Sequence, residues 1–181
     1  MVNTFLPFAD YKQVAQSLDD RRLGKQRVEA LQILKANLGL TKGWVNHPAA
    51  VMWRGYEGHL AVYALTMCSE WKKRGYADST AQQVIELMKQ YNLKPISKPW
   101  WLGVDEFHKS HQSNLKRKLP EYYDFDVDDD LPYQWPTQTK TLQTTEEKHA
   151  QKREAAAAAR EAKRNARRTK GVSRATPTDS V

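Results

Sequence analysis

The sequence predicts a mainly α-helical protein, a compact single-domain bundle with little or no sheet, followed by a basic tail that is helical or disordered. Apolar residues recur every three or four positions along several segments, and no segment alternates as a half-buried strand does. Large apolar side chains become rare beyond Pro136. We therefore predict a helical domain over residues 1–138 and an Ala/Lys/Arg-rich tail over residues 139–181.

The predicted elements follow one another in a simple order. Residues 1–10 read as an extended lead-in that Pro7 interrupts. Lysines and an arginine before Gly75 favour a helix end there, and Pro120 stops another helix. The predicted helices are Tyr11–Ser17, Leu18–Leu38, Trp53–Trp71 with its basic end, Thr80–Tyr91 and Asp105–Leu119; the segment Asp126–Pro136 is predicted to lack regular structure.

The long helix Leu18–Leu38 carries charged residues where the pattern is apolar. On a helical wheel Arg27 and Asp20 fall near the centre of the apolar face, two turns apart, and Glu29 points to the opposite side. A charge on a core-facing stripe is costly unless it is paired or lines a wet pocket. The two interpretations are a salt bridge that caps the core and a polar site at the bottom of a cleft.

Charge and cysteine content restrict the classes of protein that the chain can represent. The net charge is +8, of which residues 140–181 contribute +6, so the domain itself is only weakly basic. Cys68 is the single cysteine, which excludes an internal disulfide and reads as a small core residue. No run approaches the length of a membrane span and no signal peptide is evident, so we expect a soluble, cytoplasmic, nucleoid-associated monomer that does not contact membranes.

The tail has two interpretations. Residues 145–170 are rich in Ala, Lys, Arg and Glu, which permits a solvated helix but cannot form a core. Residues 171–181 read as disordered. The segment either solubilises the protein or acts as an arm that gains affinity for nucleic acid by neutralising phosphates.

Common catalytic and metal-binding signatures are missing. The chain has no phosphate-cradling glycine motif, no GxSxG and no HExxH. His108 and His111 have a spacing that could chelate, but no cysteine or carboxylate cluster supports them. We therefore expect no metal and no cofactor.

Basic and aromatic residues are interleaved around the fourth predicted long helix. Cations can follow phosphates while aromatic faces stack on exposed bases, although a solvated helix face with core aromatics fits equally well. The residues concerned are Trp100, Trp101, His108, Lys109, His111, Lys116, Arg117, Lys118, Tyr122 and Tyr123.

Four segments carry a resemblance to a known family. They are the short N-terminus leading into the first long helix, the stretch Leu18–Val28, the stretch Cys68–Tyr76 with its Lys-Arg-Gly-aromatic ending, and the stretch Phe107–Tyr123. Together they resemble the pyrimidine dimer DNA glycosylase/endonuclease V family over residues 1 to about 123. The stretches Asn46–Trp53 and Asp128–Pro136 are more similar to its uncharacterised bacterial and phage subgroup.

The resemblance implies a mechanism of base excision on damaged or modified pyrimidines in double-stranded DNA. In the family, the α-amine exposed by loss of the initiator Met attacks the deoxyribose C1′, expels the base and leaves an imine, and β-elimination then breaks the strand. A glutamate on the first long helix assists. Here the amine would belong to Val2, a residue small enough for Met removal, and Arg27 matches a family arginine. A neutral fraction of such an amine exists at physiological pH.

One position departs from the family pattern. Ungapped alignment on Arg27 and Val28 puts Gly24 where the glutamate belongs. Asp20, one turn earlier on the same face, is the substitute that the sequence offers.

The leading hypothesis is a DNA glycosylase with AP-lyase activity, in which Val2, Asp20 and Arg27 are catalytic. Arg22, Lys25 and the cations after residue 108 would hold the DNA backbone, and the aromatics named above would occupy the gap left by an extruded nucleotide. The alternative is a non-catalytic DNA-binding protein that retains the fold. A third interpretation, an RNA-binding accessory factor, depends only on the charge of the tail.

Overall fold

The computed structural model describes residues 2–172, and within them it is mainly helical, as the sequence predicts. The elements are α1 (Tyr11–Ser17), α2 (Asp20–Asn37), α3 (Pro48–Trp53), α4 (Glu57–Lys73), α5 (Thr80–Gln90), α6 (Asp105–Lys118), β1 (Gln134–Pro136), β2 (Leu142–Thr144) and α7 (Thr145–Val172).

The first compact unit ends at Thr144, and its core forms where α2 packs along α4 with α1 and α5 beside them. Large aromatic side chains fill this core: Trp53, Trp101, Tyr63 and Phe107 are fully buried. Trp53 and Trp101 meet edge to face at 4.8 Å, a favoured arrangement of aromatic rings. The buried Cys68 fits its predicted place as a core residue, and burial raises the pKa of its thiol to about 12.

The predicted helix Trp53–Trp71 is interrupted in the structure. Gly55 has a φ of +85°, a conformation that ends α3 before α4 begins. The Glu57 carboxylate accepts the Gly55 N–H at 2.9 Å and so satisfies the exposed backbone at the break. The helical periodicity continues through the break, which is why the sequence pattern alone predicts a single helix.

A short antiparallel hairpin follows the last helix of the first unit. Trp135 of β1 lies opposite Gln143 of β2, and Trp135 is buried. The prediction that residues 126–136 lack regular structure is therefore wrong for Gln134–Pro136. Because β2 pairs with β1, the first unit extends to Thr144, six residues beyond the predicted boundary at 138.

The N-terminal segment is extended and is held by side chains rather than by a sheet. Backbone groups need partners when they are buried. Phe5 N–H donates to Gln26 Oε1 at 2.7 Å, and Leu6 N–H donates to His111 Nδ1 at 3.0 Å. His108 Nδ1 lies 2.7 Å from the Leu6 carbonyl. These contacts with α2 and α6 fix the start of the chain against the helical core.

The second unit begins at Thr145 and contains α7. This helix reaches Val172, two residues into the segment predicted to be disordered. Residues 173–181 lie outside the described residues. Among the residues that the structure describes, no helix is both long and apolar enough to cross a membrane.

Candidate active-site cleft

A cleft of about 630 Å³ opens along α2 beside the start of the chain. We call it the Val2 cleft. It brings together all three residues that the sequence analysis proposed as catalytic. Its lining consists of Val2, Asp20, Arg21, Gly24, Lys25, Arg27, Val28, Glu29, Gln32, Trp44 and Trp71.

Val2 is anchored at the edge of this cleft. Its relative exposure is 1 % and it packs in the hydrophobic core, so the position of this residue is fixed. The next residue, Asn3, donates its backbone N–H to Glu29 Oε2 at 3.0 Å. Consecutive backbone nitrogens are separated by less than about 4 Å, so the Val2 nitrogen lies within about 7 Å of the Glu29 carboxylate.

Glu29 was missed as a candidate because the helical wheel placed it on the far side of the helix. The structure corrects this, since Glu29 lines the same cleft as Val2. Burial raises the pKa of its carboxyl, and the Asn3 amide and the charge of Lys25 oppose that rise only in part. A carboxyl with a raised pKa is a better proton acceptor than one with an ordinary or lowered pKa.

Arg27 lies beside the core and not at its centre. The buried polar residue at the centre of the α2 stripe is Gln26, whose neighbours at three and four residues are the buried Leu23 and Ala30. The Arg27 guanidinium pairs with Asp78, whose side chain has no exposed surface, and lies 4.6 Å from the centroid of the Trp71 ring. The prediction that Arg27 occupies the centre of the apolar face is therefore wrong.

Val28 is a further correction to the predicted stripe. The sequence pattern assigns Val28 to the core face, yet it is 41 % exposed and lines the Val2 cleft. Residues 26 and 28 are about 200° apart around a helix axis, so the register that buries Gln26 turns Val28 outward.

Asp20 lies at the mouth of the cleft with 54 % of its side chain exposed. It accepts hydrogen bonds from Arg74 at 2.9 Å and from the Tyr76 hydroxyl at 2.7 Å. The Arg74 bond and then the Tyr76 bond lower the pKa of Asp20. The carboxylate is therefore held ionised, which makes it a poorer proton donor than Glu29.

Gly24 faces the ring of Trp71. A Cβ at this position would meet the ring at 3.0 Å, closer than ordinary van der Waals contact. The indole thus occupies the space that a longer side chain would need. The position that the alignment assigns to a glutamate cannot hold one unless Trp71 moves.

A second depression of about 330 Å³ shares Arg21, Lys25 and Glu29 with the Val2 cleft. We call it the basic groove. It contains three residues predicted to bind DNA, namely Arg22, Lys25 and Lys118, together with Arg21, which the sequence analysis did not select. Arg22 is only partly free to bind a further anion, since its guanidinium pairs with Asp19 at 2.7 Å. The groove therefore places cations beside the cleft.

Two aromatic residues that were predicted to contact DNA are buried and hydrogen-bonded inside the protein. Trp101 is fully buried and donates to the Met52 carbonyl at 3.2 Å, so it cannot stack on a base. Tyr123 is 2 % exposed and its hydroxyl donates to Asp19 at 2.5 Å. Asp19 in turn accepts the Arg22 N–H at the start of α2. Trp101 and Tyr123 therefore stabilise the fold.

Two cations predicted to contact the DNA backbone instead bind carbonyl groups within the first unit. Lys116 donates to the carbonyls of Phe125 and Val127, and Arg117 donates to the carbonyls of Asp129 and Leu131. They fasten the acidic segment after α6. Lys109 pairs with Asp105 at 2.8 Å, away from the Val2 cleft. Tyr122 is 49 % exposed and Trp100 is half-buried, so these two remain accessible.

The histidine pair of α6 is structural. His108 Nε2 accepts the Gly103 N–H at 2.8 Å, and both rings hold the Leu6 backbone. Burial lowers the pKa of His108 and, well below its usual value, that of His111. No group of three or more His, Cys, Asp or Glu side chains that could hold a metal occurs in the described part of the chain.

The first unit is thus a helical domain with a mixed-charge cleft beside its N-terminal segment and a basic groove next to that cleft. Residues 2–84 match the model of a family described as pyrimidine dimer DNA glycosylase. This match confirms the family resemblance over that segment, which contains every residue that lines the Val2 cleft. No curated protein and no solved structure matches the chain. The family that this segment matches is one of DNA glycosylases.

Proposed function

We propose that the chain excises a base from double-stranded DNA through the α-amine of Val2 and then breaks the strand as an AP lyase. The observation that carries this proposal is the 3.0 Å hydrogen bond from Asn3 N–H to Glu29 Oε2, which ties a carboxyl of raised pKa to the start of the chain. Removal of Met1 would free the amine beside that carboxyl. The match of residues 2–84 to a family of pyrimidine dimer DNA glycosylases supports the proposal.

The chemistry balances with the groups in the cleft. The amine nitrogen bonds to C1′ as the bond from C1′ to the base breaks and the base leaves with its electron pair. Loss of a proton from nitrogen and opening of the sugar ring give an imine. Removal of a C2′ proton then expels the 3′ phosphate. Glu29 would move these protons, while Arg21 and Lys25 would attract the phosphates that flank the site.

Glu29 and Asp20 are competing candidates for the proton-transfer role. Asp20, the residue first proposed, is held by Arg74 and Tyr76 at the exposed mouth. Glu29 accepts the backbone N–H of Asn3, the residue that follows Val2. We therefore assign the role to Glu29, and we assign Asp20 to positioning Arg74, which also bonds the carbonyls of Ala15 and Leu18.

Borohydride trapping on DNA with one abasic site tests the proposal, because it reports an amine nucleophile without knowledge of the lesion. We expect a covalent adduct for the protein that lacks Met1 and none after the amine is acetylated. Glu29→Gln should slow trapping by about 10²-fold or more, whereas Asp20→Asn, the matched control, should change it only several-fold. If Asp20→Asn slowed trapping more than Glu29→Gln did, the proton-transfer role would belong to Asp20.

The alternative is a non-catalytic DNA-binding protein. The close contact between Gly24 and Trp71 favours it, because it removes the family's glutamate from its aligned position. Tight binding of abasic DNA without any trapping would support this alternative and exclude the amine chemistry. Either activity would place the protein with the DNA of the nucleoid.

A further inference from the structure

Trp44 is an exposed aromatic residue in the wall of the Val2 cleft. It lies in the loop between α2 and α3, and 42 % of its surface is exposed. It does not join the hydrophobic core or the partly buried residues packed against it. In the described part of the chain its one ring contact is edge to face with His47 at 5.6 Å. The indole therefore leaves much of its aromatic surface open to the cleft.

The backbone at Trp44 has an unfavourable conformation. Its φ is +65°, in the left-handed region that bulky residues seldom adopt. Glycine takes this conformation without steric cost. The backbone conformation disfavours a tryptophan here, and burial of the side chain does not compensate for that cost. Residues held in such backbone conformations cluster at binding and catalytic sites.

The surroundings of Trp44 define what it can bind. Val28 lines the same cleft with 41 % exposure, so the cleft presents an open apolar surface next to the cations Arg21 and Lys25. Trp71 cannot provide this surface, because its ring is stacked on Tyr76 at 4.0 Å and contacts the Arg27 guanidinium. A flat aromatic ligand attached to a phosphate chain fits both features.

We propose that Trp44 is the stacking platform for a nucleobase that has left the DNA helix and entered the Val2 cleft. Exposed indole rings stack on every base, while nearby cations bind the phosphates. The inference rests on the proposed function for the identity of the ligand as DNA. It replaces Trp101 and Tyr123, which are buried, as the aromatic contact to an unstacked nucleotide.

The test compares two duplexes that differ at one position. One contains a single unpaired thymine, and the other contains a tetrahydrofuran residue there, which has no base. Equilibrium binding of the full chain to each is measured by fluorescence anisotropy. We expect wild type to prefer the thymine duplex by about tenfold, which is within the range that stacking on an aromatic side chain provides.

Three variants make the test specific. Trp44→Gly should lose the preference without a fall in melting temperature, because glycine accepts the left-handed backbone. Trp44→Phe should retain most of the preference. Tyr91→Ala, which removes an exposed aromatic outside the cleft lining, should behave as wild type. A preference that survives in Trp44→Gly, or its absence in wild type, would overturn the inference.

The result of this binding test does not depend on the amine chemistry. A protein that shows the Trp44-dependent preference but traps no abasic DNA would retain the stacking site and lose the proposed reaction. A protein that traps abasic DNA but shows no preference would retain the reaction and lose the stacking site.

Discussion

Gly24 and Trp71 are in contact across α2 and the end of α4, and the contact is too close for a side chain at residue 24 unless the ring shifts. A Cβ there would lie 3.0 Å from the indole ring. The ring is fixed by its stack on Tyr76 and by a hydrogen bond from its Nε1 to the Ala77 carbonyl at 2.9 Å. The glycine inside a helix is thus explained by the aromatic residue packed against it.

Gly24→Ala should destabilise the protein by about 1 kcal/mol. Alanine is the better helix former by about 1 kcal/mol, but overpacking against a fixed ring costs about 1–3 kcal/mol. The measurement is the free energy of unfolding in urea. The control is the same substitution in a Trp71→Ala background, where the ring is absent and Gly24→Ala should stabilise. A stabilising effect in the wild-type background would contradict the account.

Asp78→Asn should destabilise the protein by about 2 kcal/mol, because it leaves the Arg27 guanidinium without its buried counter-ion. Asparagine keeps an oxygen for the Ala81 N–H that Asp78 accepts at 2.9 Å, so the change isolates the charge. Asp20→Asn, at an exposed ion pair, should have little effect on stability. Equal effects of the two substitutions in chemical denaturation would show that the Arg27–Asp78 pair is not stabilising.

Acid should destabilise the fold through His111. Burial holds the pKa of His111 well below its unfolded value, so the folded state binds fewer protons. Below about pH 6.5 the unfolded state takes up a proton on this histidine and the folded state does not. The free energy of unfolding therefore falls there by up to about 1.4 kcal/mol per pH unit, whereas above about pH 6.5 the histidine has no such effect.

The variant His111→Asn tests this pH dependence, since its Oδ1 can accept the Leu6 N–H as Nδ1 does. The free energy of unfolding between pH 7.5 and 5 should fall less steeply for the variant than for wild type. Parallel slopes would exclude His111 as the titrating group.

The basic helix α7 should contribute affinity that depends on salt and not on sequence. Truncation after Thr144 leaves the β1–β2 hairpin intact and removes the second unit. Binding to undamaged duplex DNA should weaken, and the slope of log K against log salt should become shallower by about 0.9 for each phosphate that α7 no longer neutralises.

Substitution of Arg160, Lys163 and Arg164 by Gln within α7 is the milder control for this truncation. It should reduce the same slope by up to about 3. An unchanged slope in both variants would assign α7 a solubilising role only.

Much of the fold is predictable from local patterns. The ends of α1 and α6 agree with the sequence within one residue because Asp10 caps the first and Pro120 follows the second. The hairpin was missed because three-residue strands are too short to show alternation. The interruption at Gly55 was missed because the apolar spacing continues across it.

The site was harder to predict, because it depends on contacts between distant segments. A helical wheel describes one helix against an assumed core, whereas α2 also packs against the extended N-terminus. That contact buries Gln26 and turns Glu29 toward Asn3. An exposed tryptophan in a loop gives no periodic signal, so Trp44 was not selected. The positions of Val2, Asp20 and Arg27 in one cleft were inferred from the family resemblance and the helical spacing.

The central claim is that the α-amine of Val2 is the nucleophile. The most direct measurement is tandem mass spectrometry of the borohydride-trapped adduct with abasic DNA, after protease and nuclease digestion. The account predicts that the sugar remnant is attached to the amine of a peptide that begins with Val2. An adduct on Lys25, the lysine of the Val2 cleft, or on any other lysine would contradict it.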